Sequence, residues 1–299
     1  MNGVGTGGLW PLLALLYAAT YWGLIWWPAR WLEQAGVAGI WQALVSYGSA
    51  LLVMTLVRGF PLAGLRREPG LVLVLVAAAG WTNVAFLLAV IGDQVVRVLI
   101  LFYLSPLWAA LLGHWILGER LRPLTWVMLA LGLAGAVVML YRPGVLQQPI
   151  GKGDWLALSA GLGFALTNVM IRRLRWLGDQ IKTQLAWLGV VAVSLVMILV
   201  WRIAPPDAGW QGWAGAVALG VPGFLFSTLA VVYAVSRMPV QRSSVIMLFE
   251  IVVGAVSAWL LADETLGLQE AIGGIMIVGA GLIAVRLHEE RGEPTEKGV

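Results

Sequence analysis

Along the chain, long uninterrupted apolar runs alternate with short stretches where charges, Pro and Gly collect. The run over 71–79 holds no polar residue, so the strict alternation of a membrane barrel strand does not fit. A helix needs ~20 mostly apolar residues to cross a bilayer. Breaking the chain at its charged and Pro- or Gly-punctuated positions gives ten such segments, at about 9–27, 37–57, 70–91, 94–117, 123–141, 154–174, 183–201, 210–235, 240–262 and 267–286. The pattern therefore predicts an all-α membrane protein of ten transmembrane helices. The weakest boundary is the short Gly92, Asp93, Gln94 interruption between the third and fourth segments, and the count of ten depends on it.

Composition agrees with this and removes several function classes. Of the 299 residues, 60% are hydrophobic and only 11% charged, and the mean hydropathy is +0.88, far from a soluble domain. With no Cys and only two His, His114 and His288, a disulfide framework, a thiolate or histidine metal centre and a cysteine nucleophile are all excluded. No metal and no cofactor is expected. A net charge of +4 could suggest nucleic acid, but the Lys and Arg stand singly between apolar runs, so no nucleic-acid partner is expected. The expected partners are the lipid bilayer and a small-molecule substrate, and a monomer suffices. Residues 1–8 carry no Lys or Arg, so a cleaved signal peptide is not expected and the first run is expected to be retained.

The basic residues orient the segments. With the N-terminus cytoplasmic, the inside loops and tail hold Arg58, Arg66, Arg67, Arg120, Arg122, Arg172, Arg173, Arg175, Lys182, Arg237, Arg242, Arg286, Arg291 and Lys297. The outside holds only Arg30, Arg97, Arg142, Lys152 and Arg202. The positive-inside rule then predicts both termini in the cytoplasm, and Trp26, Trp27, Trp31, Trp126, Trp155, Trp201 and Trp210 near segment ends read as interfacial anchors.

Displacing the sequence on itself by 145 residues aligns 81–121 with 226–266 without a gap. Ala85, Ala89, Val90, Val95, Arg97, Ala110, Glu119 and Leu121 meet identical residues at Ala230, Ala234, Val235, Val240, Arg242, Ala255, Glu264 and Leu266. The expected organisation is two five-helix repeats, 1–147 and 148–299, the latter ending in a short tail at 287–299. Five is odd, so the second repeat must cross the bilayer inverted, an arrangement that marks carriers with a midplane site. The same offset pairs Ala109 and Gly113 with Gly254 and Ala258, small residues four apart that read as packing seams.

These residues resemble the drug/metabolite transporter superfamily, in its EamA-type ten-helix branch. The resemblance rests on Trp22-Gly23, on Tyr103-Leu104-Ser105-Pro106 followed by Leu117-Gly118-Glu119-Arg120-Leu121, and on Gly153-Asp154-Trp155. It continues in Arg172-Arg173 and in Phe249-Glu250-Ile251 followed by Asp263-Glu264-Thr265-Leu266. It covers roughly 9–286 and is most similar to bacterial aromatic amino-acid exporters of the YddG type. It implies ten helices around a central cavity in the bacterial inner membrane and export of hydrophobic amino acids. Ile251 stands where the family has Pro after Glu, so the kink the resemblance implies there is not expected.

Candidate substrate-binding residues are the polar, aromatic and proline positions near mid-segment: Trp22, Trp81, Asn83, Tyr103, Ser105, Pro106, Phe164, Asn168, Ser244, Leu248 and Glu250. Tyr21, Ser227, Thr228 and Met247 complete the pool. Pro106 and Pro222 lack the N–H that would bond a carbonyl one turn earlier, so the carbonyls of Phe102 and Ala218 become candidate acceptors, facing either a cavity or a helix neighbour. Glu250 is the one carboxylate near the middle of a segment, where an ionisable group costs ~2.5–3.5 kcal/mol on insertion scales and suggests function. It could bind an amine, exchange a proton or bond within the bundle. Arg97 and Arg242 read as snorkelling charges, or one of them as the partner of a substrate carboxylate or as a gate with a nearby acid, Glu119 and Glu264 as caps of the following helix or partners of Arg, and Asp154 as an N-cap. No catalytic residue is expected: protease and hydrolase motifs are absent. A carrier of Phe, Trp or Tyr, with Met or Thr also open, is the expected function. A cationic drug or metabolite efflux carrier is the alternative, ahead of a channel or an intramembrane enzyme.

Overall fold

The computed structural model describes residues 9–37, 39–60, 67–92, 95–141, 143, 144, 147, 149–261 and 267–292. Among them ten helical segments are long and apolar enough to cross a membrane. Span one is α1 (Leu9–Leu24) continued after a turn at Ile25 by α2 (Trp26–Gln34); span two is α3 (Gly39–Arg58) and span three α4 (Pro69–Gly92). Span four is split into α5 (Val95–Phe102) and α6 (Ser105–Leu117), and span five is α7 (Pro123–Leu140). Spans six and seven are α8 (Lys152–Arg173) and α9 (Asp179–Trp201). Span eight is α10 (Trp210–Ala218), a π-helical stretch Leu219–Phe224, and α11 (Leu225–Val235). Span nine is split into α12 (Val240–Met247) and α13 (Phe249–Leu261), and span ten is α14 (Leu268–Gly292).

All backbone groups must be satisfied within the segment in lipid, which is why apolar runs of this length become helices. Span one outruns its predicted end at 27: over 26–34 charges enter on one side while Leu32 stays buried, so the helix is amphipathic and its continuation is invisible to a search for apolar runs. Gly92 closes α4 as expected, while residues 93 and 94 lie outside the described residues.

The spans alternate in direction between two ends, the near end being where α1 begins. At the near end Arg237, after span eight, bonds Asp179, at the start of span seven, at 2.6 Å. At the far end Gln269, opening span ten, donates to the carbonyl of Tyr141, closing span five, at 2.7 Å. Packing follows a regular scheme: span six lies against three and four, as span one lies against eight and nine; span three meets seven, as eight meets two. Spans five and ten pair with each other, as do two and seven. Close approaches recur at matching places. A Cβ on Gly189 would lie 2.0 Å from the carbonyl of Val76, and one on Gly220 2.0 Å from that of Ser46.

Span four is stapled to span six at both ends. At the far end Arg97 donates to both carboxylate oxygens of Asp154, at 2.6 and 2.7 Å, with both side chains buried. Asp154 is not the N-cap: it is the third residue of α8 and reaches back to the N–H of Gly151 at 2.8 Å. At the near end the Glu119 carboxylate accepts from Arg172 and from the N–H of Val240. Glu119 thus caps α12 across the bundle and not the helix that follows it. Its counterpart Glu264 lies outside the described residues.

Candidate functional site

Spans four and nine are both interrupted halfway, at positions that the 145-residue offset makes equivalent. In span four Pro106, the second residue of α6, has no N–H to offer the carbonyl of Phe102. Tyr103 and Leu104 leave the helix, and the bonds tighten to three-residue spacing, Leu104 to Leu101 at 3.3 Å and Leu107 to Leu104 at 2.9 Å. Span nine has no proline, yet it too is broken. Leu248 stands outside both helices, with its N–H on Val245 at 3.1 Å and its carbonyl accepting from Ile251 at 3.0 Å. No kink was expected at Ile251, yet the helix is interrupted three residues earlier, at Leu248, which is buried among Ala136, Met139, Ile251 and Ile277, with Tyr103 packed on the same cluster.

The carbonyls beside the breaks point at neighbours. A Cβ on Gly161 would lie 2.7 Å from the carbonyl of Phe102, and one on Gly23 2.6 Å from that of Glu250. Of the two settings open to the Phe102 acceptor, the helix-neighbour setting is the one realised, and glycine alone leaves room for it. The side chain of Glu250 lies beside the hydroxyl of Tyr103. No basic side chain among the described residues pairs with Glu250. Glu250 and Tyr103 both retain partial accessibility.

Two aromatic clusters flank this level. In one, Phe224 stacks on Tyr47 and on Trp22, ring centroids 4.5 and 5.3 Å apart, while Tyr21 meets both Trp22 and Phe224 edge-on. In the other, Phe102 contacts Phe86, Tyr103 and Phe164 at 4.9, 5.6 and 5.7 Å. Phe224 is positioned by the π-helical stretch that contains Pro222; such wide turns absorb a residue that cannot join the ladder and recur at functional sites. Around it Tyr21 donates to the carbonyl of Leu219 at 3.4 Å and Ser46 to that of Ala216 at 2.8 Å.

Of the predicted residues, Trp22, Tyr103, Ser105, Pro106, Phe164, Leu248 and Glu250 belong to the breaks or to the aromatic clusters beside them. Asn168 is buried one turn from Phe164 on α8, and the Asn83 amide donates to its own helix at Ala79, 3.1 Å. Trp81 does not join them. It is 44% exposed and its indole donates to Ser159, which lies on the side of α8 that carries the exposed Trp155 and Leu162, about half a turn from Phe164. Ser244 lies one turn from Leu248 toward the near end, buried. The rings of Phe86, Phe102, Tyr47 and Phe224 were not anticipated, although the carbonyl of Phe102 was; only the proline inside span eight signalled the last of them.

Residues 9–141 and 151–286 each match the profile of the EamA-like transporter family. The chain belongs to the EamA-like transporter family. An uncharacterized transporter of Archaeoglobus fulgidus is 27% identical over 69% of this chain and 72% of its own length. An uncharacterized transporter of Pseudomonas aeruginosa is 27% identical over 64% of each chain. A solved crystal structure covers 93% of this chain and 98% of its own with a TM-score of 0.76 and 20% identity, a likeness of fold. The ten spans and the family make this a multi-pass membrane protein of the transporter class.

Proposed function

We propose that the chain is a bacterial inner-membrane exporter of aromatic and other hydrophobic amino acids, working by alternating access around the level of the two broken helices. The observation that carries the reading is the Glu250 carboxylate, met by Tyr103 and set between two aromatic clusters. A site walled by apolar rings with a few polar groups suits an amphiphilic solute with a large ring, and a carboxylate in such surroundings suits its ammonium. The helix contacts that survive exchange of spans 1–5 for 6–10, and the twofold family match, support two inverted five-helix repeats, 1–147 and 148–299. Among the described residues, basic side chains gather at the near end, from Arg58 and Arg67 to Arg237 and Arg242, against Arg30, Arg97, Lys152 and Arg202 at the far end. This supports a cytoplasmic near end and both termini inside.

A second reading, efflux of organic cations, is favoured by one observation: Glu250 has no basic partner among the described residues, so a cation without a carboxylate would also satisfy it. Purified protein in liposomes, assayed for uptake of labelled Phe, Trp and Thr and of a cationic dye, separates the two. Saturable Phe or Trp flux that the dye does not block supports the first; dye flux with none of the amino acids overturns it.

A further inference from the structure

We propose that the contact between α6 and α12 is a closed near-end gate, that its α12 face becomes a wall of the path when it opens, and that Glu119 is its latch. The proposal rests on the reading of the chain as an alternating-access carrier and adds to it the state and the moving seam.

The geometry is asymmetric about the breaks. Toward the near end α6 packs on α12. Span four packs on α8 and span nine on α1 along both of their halves, but beyond the breaks α5 and α13 make no contact comparable to that of α6 with α12 among the described residues. Burial follows the same division: every residue of α12 is buried, whereas in α13 only Ile251 and Ser257 are. Spans four and nine therefore converge at the near end and diverge toward the far end.

The converged surface is chemically wrong for a permanent core. α12 begins Val240, Gln241, Arg242, Ser243, Ser244, four consecutive polar residues in a fully enclosed helix. Ser243 bonds its own Val240 carbonyl at 2.9 Å and Arg242 reaches that of Val285. Gln241 Oε1 and Ser244 Oγ have no partner among the described residues, although each side chain is only 3% exposed. Buried polar atoms are almost always bonded, and each left unmade costs ~1–3 kcal/mol. Three residues apart, the two lie on neighbouring positions of one helical face, and Gln241 is turned to α6: a Cβ on Gly113 would lie 3.8 Å from its Oε1. A face that is wetted in a second state accounts for both atoms; a face that is always dry accounts for neither.

What holds it shut is also visible. Glu119 follows α6 and draws three elements to one point: its carboxylate accepts from Arg172 at the end of α8 and, at 3.0 Å, from the N–H of Val240, the first residue of α12. A helix N-terminus carries unbonded N–H groups and partial positive charge, so the carboxylate holds α12 electrostatically as well as by a hydrogen bond. Gly113 leaves it room, since a Cβ there would lie 3.1 Å from Glu119 Oε2.

The chain has no Cys, so an introduced thiol is the only one present. Ser244→Cys is placed in the parent chain and together with Glu119→Ala, and reaction with a hydrophilic maleimide is timed in detergent. Ala280→Cys, buried in the cluster that also holds Met128, is the control in both backgrounds. The expected result is faster labelling at 244 than at 280, rising about tenfold without the carboxylate, the equivalent of one charge-assisted bond. Equal rates at the two positions in both backgrounds, slow or fast, overturn the gate. If the Glu119→Ala protein fails to fold, Arg172→Gln loosens the latch from its other side and is read the same way. Labelling needs no substrate. A gate that opens in a chain moving no amino acid overturns the proposed substrate alone; amino-acid flux with Ser244→Cys labelling no faster than Ala280→Cys overturns the gate alone.

Discussion

The carbonyl oxygen of Phe102, to which Pro106 offers no N–H, is seated on the bare Cα of Gly161, with room for nothing larger: a Cβ would stand 2.7 Å from it. The same seat recurs between the Glu250 carbonyl and Gly23, at 2.6 Å. In both cases a helix break in one span is held by a glycine in another.

Gly161→Ala and Gly23→Ala are each expected to cost ~1–3 kcal/mol, the range for overpacking a filled site, because backbone cannot step aside as a flexible side chain can. Gly281→Ala, whose Cβ meets nothing within 4 Å, is the control and should be neutral or gain ~0.5–1 kcal/mol from helix propensity. Thermal unfolding in detergent checks the ordering; a Gly161→Ala midpoint at or above that of Gly281→Ala would contradict the seat.

Removing Asp154 takes two hydrogen bonds from a buried guanidinium and one from the Gly151 N–H. Asp154→Ala is expected to cost ~3–5 kcal/mol, the range for breaking a buried pair from one side. Arg97→Met with Asp154→Leu together should cost less than Asp154→Ala alone. The comparison is again one of thermal midpoints, and a double variant less stable than the single one would show that the pair is not the reason for the loss.

Glu250→Gln is expected to lower Phe or Trp flux in liposomes about tenfold or more, as loss of a charged contact to the substrate would, and Tyr103→Phe about two- to tenfold, as loss of a neutral one would. Since the two side chains meet, the double variant should be little worse than Glu250→Gln. Fully multiplicative losses would separate the two residues.

Leu248→Ala deletes a side chain packed from α7 and α14 and is expected to cost ~2–5 kcal/mol. Because Leu248 stands at the break, the variant should also lose flux beyond what its residual folded fraction explains. Retained flux at full specific activity would mean that the break is held by something else.

How much of this was legible depended on which force fixed each feature. The ten spans could be read because lipid demands long apolar runs, and the ends that were missed are those where the helix turns polar: Trp26 to Gln34 in span one, the first turn of α9 from Asp179, and the end of α14 beyond 286. Pro106 announced its break because the cause is covalent. Leu248 gave no such sign, since most of the residues it packs on, from Ala136 to Ile277, are remote in sequence. The inward faces were the least legible. A span that is apolar all round carries no stripe to mark its buried side, so Trp81 looked as good a candidate as Trp22, although only Trp22 stacks in an aromatic cluster. Phe224 and Tyr47 likewise come together only through contacts of span two with the π-helical stretch.

The two broken spans do not share a cause, and this bears on how the molecule can move. A break imposed by proline persists in every conformation, whereas one imposed by neighbouring side chains lasts only while those neighbours stay in place. Span four therefore carries a break fixed by its covalent structure, and span nine one without proline, at a residue packed by α7 and α14. On the proposed alternating-access reading, joints that differ in this way leave the two access states free to differ in shape and in energy.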